Sequence, residues 1–270
     1  MNSAQRELEV PGARLRYRDD GAGRALVLVH GWTLDLDVWE PQAALAAELR
    51  VVRYDRRGFG LSTGRPSAES DVADLRALID ALGVVSPLLV GMSQGARVVL
   101  EFAARNPGVA RGLVLDGPPP LAASAGPGVD VSDLPMATFR QVATQEGLDV
   151  FRQLWSRHPL TQLVTRDAST HALLARILAR YPGHDLIDGA TAHETTDAAL
   201  LAQVRTPALI VNGAHDSDAR RRAGLALRAT LADADHVLIQ HAAHLPNLDA
   251  PHAYNQIMIE FARRHLPAAA

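Results

Sequence analysis

The feature that most constrains the fold is an alternation of short apolar runs with longer amphipathic stretches. The apolar runs have the length and composition of buried strands, and they cover residues 25–29, 51–54, 87–90, 112–115 and 208–211. Near-continuous runs of Val, Leu and Ile are typical of strands that are covered on both faces, as in a parallel sheet. Between them, residues 70–82, 94–105 and 250–265 carry apolar side chains at helical spacing. The alternation therefore predicts an α/β protein with a doubly wound, mostly parallel sheet.

Two segments depart from this alternation. Residues 7–17 alternate between polar and apolar side chains, which predicts an antiparallel hairpin that turns at Pro11-Gly12. After Asp116, two stretches rich in Gly and Pro interrupt the pattern, and residues from about 130 to 204 are helical in character. Strand signals return at Thr206-Pro207. We therefore expect a core domain formed by residues 1–118 and 205–270, with a helical insertion at 119–204.

Composition excludes several kinds of chemistry. The 270 residues contain no Cys, which removes thiol nucleophiles, thiolate metal sites and disulfides. All 27 basic residues are Arg, so the chain has no lysine for a Schiff base or for a phosphate-binding loop. The histidines show no metal-ligand spacing, and we expect neither a metal nor any other cofactor.

Charge and hydropathy also limit the expected partners and location. A net charge of -3 gives no electrostatic reason to expect nucleic acid or an anionic membrane as a partner. The first ten residues include charged side chains and lack the apolar segment of a signal peptide. The apolar runs are too short to span a bilayer. These observations predict a cytoplasmic, soluble protein; they give no indication of its oligomeric state.

The sharpest local motif is Gly91-Met92-Ser93-Gln94-Gly95, which follows an apolar strand and precedes a helical stretch. A strained turn in this context pushes the central side chain out above the sheet, and small residues on either side leave room for the backbone. A serine nucleophile needs a base that is oriented by a carboxylate. The expected chain order of these groups is Ser, acid, His. Asp216 and His244 follow in that order, each just beyond a predicted strand.

At this point the chain resembles the α/β-hydrolase superfamily, in its capped esterase, lactonase and cofactor-free haloperoxidase branch. His30-Gly31-Trp32 is similar to the oxyanion-loop motif of the family, and residues 55–62 are similar to the Asp-x-Arg-Gly-x-Gly-x-Ser segment that follows it. The elbow at 91–95, the acid segment at 213–216 and the histidine segment at 243–246 complete the series in family order. The resemblance implies an eight-stranded, mostly parallel sheet with flanking helices, and a cap formed by the insertion.

Carried over to this chain, the resemblance implies that Ser93 is the nucleophile, His244 the general base and Asp216 the carboxylate that orients it. The backbone N–H groups of Trp32 and Gln94 would form the oxyanion hole. Two positions depart from the family pattern, because Ala243 and Ala96 stand where Gly is common. Both replacements are small.

Several residues compete for these roles. Asp116 ends a predicted strand at the other position where the family places its acid, and Asp218 lies two residues beyond Asp216. For Asp218 the alternative is the N-cap of a helix. His241 competes with His244 as the base, and we favour a strand-end histidine for it. His215, next to the acid, is either near the site or solvated.

Other polar and aromatic residues have a structural and a functional interpretation. Asp35 and Asp37 would either repel anions at the mouth of the pocket or start a helix, and Asp37 with Glu40 resembles a capping box. Arg56 and Arg57 would bind a substrate carboxylate or brace loops; we favour the structural interpretation in both cases. In the insertion, four residues would line a pocket above Ser93 or form the insertion's own core: Met136, Phe151, Trp155 and Tyr181.

The sequence therefore predicts a serine hydrolase that cleaves an uncharged or weakly polar carboxylic ester or lactone through an acyl-enzyme. Ser93 is not the Asp nucleophile of the dehalogenases and epoxide hydrolases of this fold. Three alternatives stay open: a ligand sensor with little turnover, a cofactor-free perhydrolase, and a carbon–carbon bond hydrolase. Two positions count against the last two alternatives. Trp32-Thr33 stands where carbon–carbon hydrolases usually have a longer Gly-rich stretch, and Thr33 stands where cofactor-free haloperoxidases commonly have Pro.

Overall fold

An eight-stranded sheet forms the centre of the protein. The computed structural model describes residues 5–120, 134–188 and 198–266. The strands are β1 (Arg6–Val10), β2 (Ala13–Asp20), β3 (Ala25–Val29), β4 (Arg50–Tyr54), β5 (Leu88–Met92), β6 (Gly112–Asp116), β7 (Ala208–Gly213) and β8 (Ala234–Ile239). Neighbouring strands follow the order β1-β2-β4-β3-β5-β6-β7-β8. Among these described strands, only the hairpin β1–β2 and its pairing with β4 are antiparallel, and the other neighbours are parallel.

The central strands are covered on both faces, as their apolar runs predict. Every residue of β3, β5 and β6 is buried. Alternate residues enter two separate cores: Leu26 and Leu28 face one, and Val27 and Val29 face the other. This arrangement follows from the period of two in a strand, which sends successive side chains to opposite faces. The predicted fold class is confirmed.

The described residues form ten α-helices. They are α1 (Ala68–Ala81), α2 (Gln94–Arg105), α3 (Met136–Gln141), α4 (Leu148–Trp155), α5 (Ala168–Arg180), α6 (His184–Ile187), α7 (Ala198–Leu201), α8 (Asp218–Thr230), α9 (Pro246–Asp249) and α10 (Pro251–His265). The helices predicted at 70–82, 94–105 and 250–265 correspond to α1, α2 and α10, within two residues at each end. None of the described helices is both long and apolar enough to cross a bilayer.

The helices α3 to α7 lie in the chain between β6 and β7, where the sequence predicts an insertion. Their apolar side chains do not form a separate core. Phe139, Phe151 and Trp155 belong to the same buried cluster as Trp32 and the sheet residue Leu28. Trp32 contacts Phe139, Phe151, Trp155 and Tyr181 through its ring, at centroid distances of 4.8 to 6.1 Å. The helical segment is therefore packed directly on the loop that follows β3.

Two helix starts differ by a residue or two from the sequence interpretation. A 3₁₀ helix occupies Leu36–Ala47, and its N-cap is Asp35, whose side chain accepts a hydrogen bond from the Asp37 amide. The capping box inferred for Asp37 and Glu40 was wrong, because Asp37 instead pairs with arginines. Likewise Ser217, and not Asp218, caps α8. In both cases the preceding polar residue has the extended or polyproline-like backbone that an N-cap requires.

Candidate active site

Ser93 lies in the tight turn that joins β5 to α2. Its φ of 52° and ψ of −115° fall in a region that non-glycine residues rarely adopt. The glycines of the motif allow the chain to close this tightly: a Cβ on Gly91 would lie 2.2 Å from the Gly95 oxygen, and a Cβ on Gly95 would lie 2.3 Å from the Val29 oxygen. The strained turn and these close approaches match the geometry expected of a nucleophile elbow.

His244 and Asp216 form a buried pair at the same end of the sheet. His244 Nδ1 lies 3.0 Å from Asp216 Oδ2, and the second carboxylate oxygen accepts a hydrogen bond from the Ser217 amide. Burial would raise the pKa of Asp216, but the attraction to His244, their hydrogen bond and the charge of Arg220 together lower it. Asp216 is therefore a carboxylate that can only accept, so Nδ1 of His244 carries the hydrogen and Nε2 is left as the basic nitrogen.

Gly117 holds the backbone close behind the imidazole. Its φ is 51°, and a Cβ at this position would lie 2.8 Å from His244 Cε1 and 2.9 Å from Nδ1. Both distances are shorter than an ordinary contact of 3.4 to 4 Å. The residue that follows β6 must therefore lack a side chain if His244 is to keep its contact with Asp216.

The competing acids and bases lie elsewhere. Asp116 is fully buried near Tyr254, and burial, followed by the like charge of Asp216, raises the pKa of Asp116 well above its usual value. The carboxylate that contacts His244 is that of Asp216 and not that of Asp116. Asp218 is exposed and pairs with Arg221. His215 and His241 are also exposed. Of the candidates, the structure brings together Ser93, Asp216 and His244.

Arg220 is the site residue that the sequence interpretation missed. Its side chain is 2% exposed, and Nη1 lies 3.0 Å from Ser93 Oγ and 3.1 Å from the Gly117 oxygen. In the described residues, the hydrogen bond that reaches Ser93 Oγ comes from Arg220 and not from His244. The only signal in the sequence is the spacing: Arg220 lies four residues, about one helical turn, after Asp216, so the two side chains can share a face. The run of three arginines at 220–222 otherwise reads as a solvated helix face.

The residues expected at the oxyanion hole flank Ser93. Gln94 is the first residue of α2, so its amide has no partner within the helix and lies at the positive end of the helix dipole. The Gln94 side chain accepts a hydrogen bond of 2.7 Å from Arg56. Trp32 follows Gly31, whose backbone is close enough to Ser93 that a Cβ on Gly31 would lie 3.2 Å from Ser93 Cβ.

A cavity of about 350 Å³, which includes space open to solvent, lies over these groups. Ser93, His244 and Arg220 supply its polar wall, and the rest of the described lining is mostly apolar. Of the four insertion residues proposed for a pocket or a core, Trp155 lines this cavity, Phe151 and Tyr181 pack on Trp32, and Met136 packs against the same buried cluster. The remaining lining residues are Gly31, Trp32, Thr33, Leu34, Leu134, Leu160, Thr161 and Leu245.

Hydrogen bonds tie the helices between β6 and β7 to the loop after β3. Trp32 Nε1 donates to Asp185 Oδ2 at 2.5 Å, and Trp155 Nε1 donates to Thr33 Oγ1 at 2.7 Å. Arg180 binds both Asp35 and Asp37, at 2.6 and 2.8 Å. Neither aspartate belongs to the described lining of the cavity, so both have structural contacts: Asp35 caps the 3₁₀ helix and pairs with Arg180, and Asp37 pairs with arginines.

Arg56 and Arg57 also have structural contacts. Arg56 is fully buried in an ion pair with Asp71, and Arg57 forms a pair of hydrogen bonds with Asp74. His30 accepts a hydrogen bond from the Arg56 amide. Burial, and then the charge of Arg56, lower the pKa of His30 from 6.5 to about 3, so this imidazole is neutral. Both arginines and His30 therefore brace the loops beside the site. Among the described residues no cluster of three or more His, Asp or Glu is arranged to hold a metal ion.

Comparison with known proteins identifies the family. A family model described as alpha/beta hydrolase fold matches residues 24–251. The chain therefore belongs to the α/β-hydrolase family, which confirms the resemblance inferred from the motifs.

Individual relatives include haloperoxidases, esterases and lactonases. The chain is 44% identical over 92 residues to a putative non-heme chloroperoxidase of Synechocystis sp., which covers 32% of this chain and 33% of that protein. It spans about a third to a half of the length of three haloperoxidase relatives. A thermophilic esterase of Thermogutta terrifontis superposes with a TM-score of 0.81 and 25% identity, over 97% of this chain and 100% of the other. The enol-lactonase of Burkholderia xenovorans LB400 superposes with a TM-score of 0.75 and 26% identity, over 95% of this chain and 99% of the other.

Proposed function

We propose that this protein is a serine hydrolase that cleaves a small carboxylic ester or lactone through an acyl-enzyme. One observation carries the proposal: a serine in a strained strand–helix turn faces the same cavity as a histidine whose other nitrogen contacts a buried, ionised carboxylate. A hydroxyl of ordinary pKa needs such a base to become a nucleophile. The esterase and lactonase neighbours support the choice of substrate class.

In the proposed mechanism, Ser93 Oγ attacks the acyl carbon while His244 Nε2 takes the hydroxyl proton. The electron pair of the carbonyl double bond moves onto its oxygen, which the amides of Trp32 and Gln94 stabilise. Such a donor typically contributes about 3 to 4 kcal/mol to stabilisation of the transition state. Asp216 holds the imidazole in the tautomer that accepts this proton and stabilises the imidazolium that results.

Collapse of the tetrahedral intermediate breaks the bond to the leaving oxygen, which His244 protonates. His244 then takes a proton from water as the water oxygen attacks the acyl carbon. The second intermediate collapses with release of the acid, and His244 returns the proton to Ser93 Oγ. A lactone would be opened by the same steps, with the alcohol and the acid in one product. These steps require no cofactor.

We also propose that residues 119–204 act as a cap over the site and that the substrate binds beneath it. Trp155 supports this assignment, because it is in the insertion and lines the cavity that Ser93 faces. The mostly apolar lining suits an acyl or alkyl group of small size. The identity of the ester is therefore expected to depend on residues of the insertion.

The direct test is hydrolysis of p-nitrophenyl esters from acetate to octanoate by wild type and Ser93→Ala. We expect steady multiple turnover by wild type, and loss of turnover in a folded Ser93→Ala protein. Ser86→Ala is a matched control, because Ser86 also has a positive φ, of 50°, and is outside the described lining of the cavity. Equal activity in wild type and Ser93→Ala would refute the assignment. Ligand binding without turnover on esters and lactones would favour the sensor alternative.

The haloperoxidase relatives favour perhydrolysis as a second candidate activity. Here hydrogen peroxide replaces water: its oxygen attacks the acyl carbon of the acyl-enzyme, and the products are a peracid and free Ser93. The step needs the same residues and no metal. The measurement is peracetic acid formed from an acetate ester with hydrogen peroxide present, and unchanged acetate release without any peracid would exclude this activity.

A further inference from the structure

Arg220 makes a contact that the proposed mechanism does not use. Its guanidinium reaches from the first turn of α8 to the nucleophile, where Nη1 is 3.0 Å from Ser93 Oγ. The same nitrogen is anchored by the Gly117 oxygen at 3.1 Å. Arg220 lines the cavity together with Ser93 and His244. This contact places a permanent cation within hydrogen-bond distance of Ser93 Oγ, the atom that is proposed to form and break the covalent bond to the acyl group.

We infer that Arg220 is a further catalytic residue, which orients the Ser93 hydroxyl and stabilises negative charge on Oγ during the reaction. This inference rests on the proposed function.

The orienting effect follows from the hydrogen-bonding capacity of the two groups. A serine hydroxyl has one hydrogen to donate and two lone pairs that accept, whereas a guanidinium only donates. Because Arg220 occupies a lone pair of Ser93 Oγ, the hydroxyl hydrogen points away from Arg220. It is thereby available to His244, which lines the same cavity. Arg220 thus favours the hydroxyl rotamer from which proton transfer to the base takes place.

The electrostatic effect follows from the charge that Oγ carries in each step. Oγ loses its proton to His244 as it bonds to the acyl carbon, and it takes back an electron pair when the acyl bond breaks. In both steps Oγ is more negative in the transition state than in the ground state. A buried, charge-assisted hydrogen bond is stronger toward an anionic oxygen than toward a neutral one, so Arg220 stabilises the transition state selectively.

The segment of chain that carries the acid, Asp216, also carries Arg220. Asp216 precedes α8, and Arg220 lies in the first turn of that helix, four residues later. Asn212 in β7 is within 3.4 Å of both the Asp216 side chain and the Arg220 carbonyl oxygen, so it links the two residues. One turn of chain therefore supplies the carboxylate to His244 and the cation to Ser93.

The test measures the reactivity of Ser93 itself, which does not depend on the identity of the natural substrate. The probes are a fluorophosphonate, followed by mass spectrometry of the labelled serine, and p-nitrophenyl acetate for kcat and KM. We compare Arg220→Met, Arg220→Ala and Arg220→Lys with wild type. Arg222→Ala is the matched control, because Arg222 is exposed on the same helix. Circular dichroism and thermal unfolding establish that each protein is folded.

We expect Arg220→Met and Arg220→Ala to label about 10- to 100-fold more slowly than wild type, with a matching fall in kcat and little change in KM. Guanidinium chloride at millimolar concentration should restore part of the rate in Arg220→Ala, and Arg220→Lys should retain part of it. Arg222→Ala should match wild type.

Two results would overturn the inference. One is a folded Arg220→Met that labels as fast as Arg222→Ala. The other is a loss of rate that neither Arg220→Lys nor guanidinium recovers, which would assign a purely structural role to this side chain. Equal labelling of wild type and Ser93→Ala is a different outcome, because it would refute the proposed function and not Arg220 alone.

Discussion

Replacement of Gly117 by alanine tests how tightly the backbone confines His244. The added Cβ would lie 2.8 Å from His244 Cε1, which is about 0.6 Å inside an ordinary contact of 3.4 Å. The imidazole must shift by several tenths of an ångström, away from the position that gives its 3.0 Å contact with Asp216. Misplacement of a catalytic group by about 1 Å costs on the order of 100-fold in rate. We therefore expect kcat/KM of Gly117→Ala to fall by about 10- to 100-fold.

Backbone strain must be separated from this steric effect, and the chain offers a matched control. Gly83 has a φ of 58°, close to the 51° of Gly117, and a Cβ there would meet nothing within 4 Å. Gly83→Ala should cost about 1 to 2 kcal/mol in free energy of unfolding, since a positive φ strains a residue that has a Cβ. Gly117→Ala should cost at least as much, because its Cβ also meets His244. Only Gly117→Ala should lose activity on p-nitrophenyl esters. Wild-type kcat/KM in Gly117→Ala, or an equal loss in Gly83→Ala, would contradict the reasoning.

Three further predictions concern the acid, pH and the contacts of the helical segment. Asp216→Asn should lower kcat by about 1,000- to 10,000-fold because the imidazole loses its orienting carboxylate, whereas the exposed Asp218→Asn should retain activity; steady-state kinetics on p-nitrophenyl acetate separates them. Because the pKa of His30 is lowered from 6.5 to about 3, the unfolded chain binds a proton in this window that the folded chain does not. The free energy of unfolding should therefore fall as pH falls from 6.5 to 3, with a smaller slope in His30→Asn, as urea titrations across the window would show. Arg180→Met removes the cation that Asp35 and Asp37 share, although Arg16 still pairs with Asp37, so it should lower the free energy of unfolding by about 2 kcal/mol. The exposed Arg176→Met, one turn earlier on α5, is its control, and equal stability of the two variants would contradict this account.

Much of the fold could be predicted because its strands are buried on both faces. A strand such as β3 (Ala25–Val29) must be apolar along its whole length, so its sequence marks both ends. The edge strand β8 (Ala234–Ile239) is only partly buried, and only its second half, at 237–239, is an apolar run. The 3₁₀ helix at Leu36–Ala47 has no helical stripe and contains Pro41, so the sequence indicates only that a helix starts near Asp37, two residues after the observed N-cap, Asp35.

The candidate site could be predicted where a residue type follows from backbone geometry or from chain order. Ser93 requires close backbone approaches that only glycine permits at 91 and 95, and His244 and Asp216 stand at the ends of strands. Arg220 could not be predicted in this way. Whether one of three consecutive arginines points inward depends on the register of α8, and that register is set when Ser217 caps the helix.

The central claim is that Ser93 carries the acyl group during turnover. The most direct measurement is mass spectrometry of protein quenched with acid while it hydrolyses p-nitrophenyl acetate, followed by peptide mapping. We predict a mass increase of one acetyl group on the peptide that contains Ser93, and none in Ser93→Ala. An acyl-enzyme would be contradicted if turnover is lost in Ser93→Ala but no acetyl group is found at Ser93, either in wild type or in the slower Asp216→Asn. An acetyl group on another residue that turns over at the rate of hydrolysis would contradict the assignment of the nucleophile.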